Sequence, residues 1–299
     1  MRAVSQLRLG EPEVLHTVEV PRPTPGPGQV SIRLGATSVN PVDCKLRSGY
    51  VNFLGTPPFT LGFDVSGTVV DLGPGVAEFA VGDEVFGMVH SRTGTYSEYV
   101  LARADALTVR PAGLDHRTAA ALATAGLTAW QALSHADLPG RRVLIHAAAG
   151  GVGHLAVQFA RHRGARVIGT ARAVNHEFLR ELGADELIDY STTDFTDRTA
   201  DIDVVLDLVG GDYGSRSLRV LRPDGRYLTV QRSDAEHDPR ARSITGTPSP
   251  GDLATIGALV AAGRIRVHIQ RTLGLGEAAR AHRLSESGRV RGKLVLTPW

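Results

Sequence analysis

Cysteine is almost missing from this sequence. Cys44 is the single one in 299 residues, so no intramolecular disulfide can form, and a four-cysteine structural metal site is excluded. Lysine is nearly as scarce: the basic residues are Arg apart from Lys45 and Lys293. There is no dense basic block, and the formal net charge is only +2, which argues against nucleic acid as a partner. No apolar run reaches the length that crosses a membrane. Met1-Arg2-Ala3-Val4 runs straight into a strand-like pattern with no signal-peptide core, so the expectation is a cytoplasmic protein with no membrane partner. The remaining composition, 42% hydrophobic and 21% charged, is that of a globular protein long enough for two domains.

Residues 1 to 115 are β-rich. Strand-like runs at 30–34, 65–70 and 84–89 are punctuated by Pro and Gly at 21–28, 73–75 and 81–83, a pattern that suggests a small barrel-like β domain. After Asp115 comes an Ala-rich, helix-prone stretch from His116 to His135, interrupted by Gly126. Strands and helices then alternate: strands at 143–145, 165–170, near 187–188, at 203–208 and at 225–230, with helices at 152–159, 175–182 and 215–221. This βαβ rhythm indicates a doubly wound parallel sheet. Residues 231–250 read either as a surface loop or as a sixth strand near 242–245 followed by a pocket-lining loop. Beyond a helix at 253–262, the tail suggests a strand at 264–268, a helix at 277–287 and a last strand at 292–297.

The densest signal is the stretch from Arg142 to Arg161. An apolar strand, Val143-Leu144-Ile145, runs into the turn Ala149-Gly150-Gly151-Val152-Gly153. Val152, Leu155, Ala156 and Phe159 then fall on one face of a helix. A glycine-rich turn at a helix N-terminus offers backbone N–H groups and the positive end of the helix dipole to a diphosphate. The spacing Ala148-x-Gly150-x-x-Gly153 is the dinucleotide fingerprint with its first Gly replaced by Ala. Gly150 then lets the backbone approach the diphosphate, and Gly153 lets the helix pack on the strand. A purely structural strand–helix turn has the same look; the flanking strands favour dinucleotide binding.

The end of the following strand selects between the two nicotinamide cofactors, because an acid there binds the ribose 2′-hydroxyl of NAD. That strand ends Gly169-Thr170-Ala171-Arg172-Ala173, with no acid before Glu177. Arg172 is suited to a 2′-phosphate, although in an Arg-rich chain it also fits as a solvated surface residue. The reading favours NADPH.

Further motifs stand in order along the chain: Ser38–Asp43 with Arg47-Ser48-Gly49, Gly62–Gly67, Thr124–Ala129, His146–Gly153, Leu182–Asp185 with Ile188-Asp189-Tyr190, and Gly288–Leu296. Together they resemble the zinc-independent, zeta-crystallin-like quinone oxidoreductases of the medium-chain dehydrogenase/reductase superfamily, over essentially the whole chain. The resemblance implies an α/β protein with a GroES-like β-rich substrate domain, 1–115 and 263–299, and a Rossmann doubly wound parallel-sheet NADP-binding domain, 116–262. It implies an active site in the cleft between them and a homodimer.

It also implies site residues. Asn40 and Thr128 lie beside the nicotinamide and its ribose, with plainer alternatives as a turn residue before Pro41 and as a helix hydroxyl. Tyr50 is a candidate partner or proton donor for the acceptor oxygen, or else a loop tyrosine. Ala149, Gly150, Gly151, Val152 and Gly153 form the diphosphate turn; Thr170, Arg172 and Tyr190 lie on the adenosine side; Val209 and Gly210 sit after the fourth strand. Asp43 either holds its loop through backbone N–H bonds or meets ligand. His90, His146 and Asp207 read as structural. The acceptor is a quinone or enone; the alternatives are an enoyl-thioester or polyketide-associated reductase, or an NADPH-binding redox sensor with little turnover.

Zinc-dependent relatives in that superfamily carry Cys where this chain has Asn40 and Gly-His-Glu where it has Gly62-Phe63-Asp64. Cys44 lies off the ligand position and reads as a small core residue. Fewer than three protein ligands remain for a catalytic zinc. Elemental analysis of the purified protein is therefore expected to find no stoichiometric zinc; one zinc per chain would overturn this.

Overall fold

The computed structural model describes all 299 residues. The chain opens with β1 (Arg2–Gln6), β2 (His16–Glu19), β3 (Gln29–Val39), α1 (Pro41–Ser48), β4 (Phe59–Thr60), β5 (Asp64–Leu72), β6 (Glu84–Met88), β7 (Tyr99–Arg103) and β8 (Leu107–Val109). A long helix, α2 (His116–Leu133), leads into β9 (Arg142–Ile145), α3 (Gly153–His162), β10 (Arg166–Thr170), α4 (His176–Glu181) and β11 (Glu186–Ile188). Then come β12 (Ile202–Asp207), α5 (Tyr213–Val220), β13 (Leu221–Thr229) and β14 (Ala241–Ser243). The tail adds α6 (Pro250–Ala261), β15 (Ile269–Gly274), α7 (Ala278–Glu286) and β16 (Lys293–Thr297). The chain divides into two compact units, residues 1–124 with 248–299, and residues 125–247.

The first unit is organised by β3. It pairs antiparallel with β5, β7 and β16, within a sheet ordered β15-β16-β3-β5-β6-β8. A second, three-stranded sheet is ordered β2-β1-β4. Val30, Ile32, Val65, Val69, Leu294 and Leu296 lie in one buried cluster, so the two chain ends share a core. Gly67 shows why β5 carries a glycine. A Cβ there would stand 2.2 Å from the Arg33 carbonyl oxygen, where the β3–β5 register shifts between Leu34 and Ala36, as at a bulge.

The second unit is a six-stranded sheet, parallel throughout, ordered β11-β10-β9-β12-β13-β14. Counted within the unit this is the order 3-2-1-4-5-6 of a dinucleotide-binding fold. Its central strands are buried runs, as a sheet covered on both faces requires. The fold class is thus α/β, a β-rich unit with a Rossmann unit. The turns after β9 and β12 stand side by side at the point where the strand order reverses, the place where such sheets bind ligands.

Three details differ from the sequence reading. The helix over 116–133 runs through Gly126 without interruption. The strand expected at 264–268 lies instead at Ile269–Gly274, because the parallel ladder with β16 begins where Ile269 meets Lys293; Ile265 is buried without joining it. The unit boundaries fall at 124/125 and 247/248 rather than 115/116 and 262/263. The first lies inside α2, and α6 goes with the first unit because Gly257 packs against Phe86 and Pro111. The short strand β14 supplies the sixth strand placed near 242–245.

Candidate functional site

In the second unit the site begins where β9 ends. Ala147 takes a positive φ of 51°, which turns the chain sharply, and the Gly150 N–H closes the turn on the Ala147 carbonyl at 3.0 Å. A Cβ on Gly153 would stand 2.3 Å from that same carbonyl oxygen and 2.7 Å from that of Ala148. Only glycine lets α3 start this close to the strand. The Ala that replaces the first Gly of the fingerprint is accommodated by Gly169 on β10, where an added Cβ would come within 3.0 Å of the Ala148 methyl. No side chain caps α3, and the N–H groups of Gly151 and Val152 have no acceptor within the chain. Free donors at a helix N-terminus suit a diphosphate.

The surroundings of the turn are closed off by polar contacts. Thr170 is 1% exposed; its carbonyl accepts from Ala148 N–H at 3.1 Å and its hydroxyl meets His146 Nδ1 at 3.1 Å, so it braces the turn from behind. The other ring nitrogen of His146 meets Ser217 Oγ at 3.0 Å. Burial pushes the His146 pKa down to about 3, so the ring is neutral and structural. After β12, buried Asp207 accepts from Val209 N–H at 2.8 Å, Gly210 N–H at 3.1 Å and Tyr227 Oη at 2.5 Å. Those donors shape the Val209–Gly211 turn and leave Val209 exposed. Gly210, at φ 81°, leaves no room for a side chain: a Cβ would stand 2.4 Å from the Arg232 carbonyl oxygen.

On the adenosine side, Arg172 is half-buried, and its guanidinium makes no hydrogen bond or ion pair within the chain. Tyr190 is exposed. Between them stands a residue that sequence reasoning missed. The Asp189 carboxylate accepts from the Ser191 hydroxyl at 2.6 Å, Ser191 N–H at 2.9 Å and Ala173 N–H at 3.0 Å, and these donors, the hydroxyl foremost, hold its pKa below the usual range. An acid therefore does stand beside the loop after β10, supplied by the residue that follows β11. The signal was the Ile188-Asp189-Tyr190 motif itself, once β11 pairs with β10. Thr128 lies on α2, buried, with Gly246 so close that a Cβ there would be 2.6 Å from its hydroxyl. The Gln131 side chain bonds Thr247 N–H at 2.9 Å, which docks segment 246–247 on this helix.

In the first unit, Asn40 precedes α1, with Pro41 at the first helical position. Asp43 accepts from the Asn40 N–H at 2.8 Å and from Gly62 N–H at 2.9 Å, so the loop-holding alternative for Asp43 describes what the carboxylate does. This releases the Asn40 side chain from capping. Its Nδ2 donates to Asp64 Oδ2 at 2.7 Å and its Oδ1 accepts from Lys293 Nζ at 2.5 Å. Asp64 also accepts from the Ser38 hydroxyl and from Thr124 N–H at 2.7 Å. Asp43, Asp64 and Lys293 are all buried, an arrangement that stands only because each charge is paired or hydrogen-bonded. Lys293 is the second residue that sequence reasoning missed; its signal was being one of two lysines in an Arg-rich chain.

Tyr50 is not part of this group. It is 68% exposed beyond the C-terminus of α1, with the Lys45 ammonium 5.7 Å from its ring centre. It lines a 330 Å³ cavity with Pro41, Cys44, Lys45 and Glu286, and Asn40 does not. Cys44 is buried, and its thiol is pushed up to about 12 by that burial. At the positions where zinc-dependent relatives carry ligands, Asn40 and Asp64 hydrogen-bond each other, and Phe63 packs edge-on against His90 at 5.3 Å. No three His, Cys, Asp or Glu side chains are grouped to hold a metal ion.

Residues 26–112 match the family described as alcohol dehydrogenase GroES-like domain, and residues 182–296 the family described as zinc-binding dehydrogenase. The chain is similar to a 2-haloacrylate reductase of Burkholderia sp., 36% identical with 97% of this chain and 96% of that protein covered. It is similar to the solved quinone oxidoreductase of Coxiella burnetii, 38% identical with a TM-score of 0.94, covering 100% and 99% of the two chains. It is also similar to Escherichia coli quinone oxidoreductase complexed with NADPH, 28% identical with a TM-score of 0.91, covering all of both chains.

Burial and the nearby Asp64 raise the Asp43 pKa from 3.8 to about 7, against the pull of two N–H donors and Lys293. Between those pH values the folded chain holds a proton that the unfolded chain has released, so this group's contribution to stability falls as pH rises and levels off above about 7. Urea midpoints from about pH 4.5 to 7.5 are expected to fall for the native protein relative to Asp43→Asn. A difference that does not change with pH would count against it.

Proposed function

The chain belongs to the quinone oxidoreductase group of the medium-chain dehydrogenase/reductase superfamily and is an oxidoreductase that uses a nicotinamide cofactor; from that premise we propose that it passes hydride from NADPH to a quinone or an α,β-unsaturated carbonyl, without zinc. The observation that carries the reading is the uncapped, glycine-tight turn of β9 and α3, with free N–H groups where the strand order reverses. The E. coli relative holds NADPH in its solved form. The Burkholderia relative is named for reduction of a haloacrylate, an electron-poor alkene, which favours an acceptor of that kind.

NADPH, when bound, supplies the hydride, and the acceptor takes up hydride and a proton. The chain's own part is to bind and orient. We assign Ala149–Gly153 to the diphosphate and Arg172 and Tyr190 to the 2′-phosphate side, with Thr170 acting through the turn it braces. Val209, Gly210 and Thr128 are assigned to the nicotinamide half of the cofactor. Asn40 is assigned to the nicotinamide or the acceptor, and Tyr50 to the acceptor. With the zinc ligands replaced by Asn40 and Phe63, no Lewis acid is invoked; the acceptor is already electron-poor.

NADPH oxidation against quinones, small enones and enoyl thioesters tests the reading. Turnover of quinones or enones supports it. Turnover of enoyl thioesters alone moves the function to a thioester reductase, and NADPH binding without any turnover moves it to a sensor. Asp189 beside the Arg172 loop tempers discrimination between cofactors, so NADH is expected to serve as a poorer donor. Arg172→Ala is expected to raise the KM for NADPH about tenfold while changing that for NADH less than twofold. Equal changes for the two cofactors would remove Arg172 from the 2′-phosphate site.

A further inference from the structure

Lys293 is 3% exposed, and burial lowers the pKa of its ammonium while Asp64 and Asp43 oppose that shift. Its Nζ donates to Asn40 Oδ1 at 2.5 Å and to the Val39 carbonyl at 3.2 Å, and stands 3.8 Å from Asp64 Oδ2. At the other end of the same carboxamide, Nδ2 donates to Asp64 Oδ2 at 2.7 Å. Such an amide has one oxygen acceptor and two N–H donors. An ammonium has no lone pair to offer, and an ionised carboxylate has no proton to offer. A flipped Asn40 would set N–H against ammonium and oxygen against carboxylate, in a place where neither clash can be relieved by water. The two buried charges therefore fix which way the amide points. Its oxygen is committed inward, one N–H is committed to Asp64, and one N–H remains.

We propose that Lys293 is a positioning residue that holds Asn40 as a hydrogen-bond donor only, so that the group Asn40 meets during the reaction is a carbonyl oxygen. This rests on the reading that Asn40 meets a reacting molecule. The carbonyl belongs either to the quinone or enone acceptor or to the carboxamide of the nicotinamide; the chemistry is shared, and the test separates the two. The ammonium also draws electron density through the Asn40 carbonyl and strengthens the remaining N–H as a donor. It is a fixed positive charge built into β16, one side chain removed from the ligand. A neutral residue of similar length would leave the amide held at its Asp64 end alone.

The test compares Asn40→Ala, Lys293→Met and the double variant. Thermal melting is followed alongside, NADPH affinity is read by fluorescence, and kcat/KM is measured with 9,10-phenanthrenequinone. Each single substitution is expected to cost about tenfold, roughly one hydrogen bond. A loss in kcat/KM for the quinone at unchanged NADPH affinity assigns the oxygen to the acceptor. A loss in NADPH affinity assigns it to the nicotinamide carboxamide. In both cases Lys293→Met adds less than about twofold once Asn40 is replaced, because the lysine acts through the amide.

An undiminished effect of Lys293→Met in the Asn40→Ala background overturns the proposal and leaves the hydride-transfer reading standing. Native activity and affinity in Asn40→Ala remove Asn40 from the reaction, and the proposal with it. Should Lys293→Met not fold, Lys293→Gln decides in the same two backgrounds, since it is polar but carries no charge. A loss that vanishes in the Asn40→Ala background supports the positioning role; native activity, or a loss undiminished in that background, overturns it.

Discussion

The first unit depends on a buried ammonium. Lys293 carries its charge into the interior, and a buried charge is tolerated only beside partners that satisfy it. Those partners are Asn40 and the Val39 carbonyl at the end of β3, and Asp64 at the start of β5. The pairing of Leu294 with Val39 and of Val295 with Ser38 sets β16 where the ammonium reaches them. The last strand of the chain is thereby held against the first half by charge as well as by the apolar contacts of Leu294 and Leu296. Asp43, from its place in α1, ties Asn40 to Gly62. The start of α1 is thus fixed from several sides, the rigidity that the ligand-facing role proposed for Asn40 would require.

The second unit reaches the same end with neutral groups and close backbone approach. Gly153, Gly169 and Gly210 stand where a methyl group would strike backbone or a neighbouring side chain. The turns they permit are held by Thr170, His146 and Asp207 through hydrogen bonds from behind. The N–H groups of Gly151 and Val152 are left free while those of Val209 and Gly210 are tied to Asp207. The first turn is therefore suited to receive an anion, and the second to present a shape.

Much of this was legible locally. The apolar strand, the glycine turn and the 3.6-residue periodicity of α3 lie within one continuous stretch, and their partners lie there too. The β-rich start, the βαβ rhythm and even the short strand β14 follow from patterns a few residues long. What failed were judgements that need a distant partner. The segment 264–268 has the alternation of a strand, but the ladder starts only at Ile269, because the register is set by β16. The loop after β10 carries no acid of its own, and yet Asp189, just after β11, stands beside it. Where Tyr50 stands relative to Asn40 was likewise not legible: it lines a cavity with Cys44 and Glu286 that Asn40 does not line.

The sequence by itself determined the fold class, the glycine turn between β9 and α3 and the identities of Asn40, Asp64 and Lys293, because glycine spacing, periodicity and residue type are local properties of the chain. Only the tertiary structure decided what those three residues are to one another. A carboxamide can present either end, and nothing near position 40 in the chain chooses. The choice is made by an ammonium from β16 and a carboxylate from β5, brought to opposite ends of the same amide in an interior from which water is excluded.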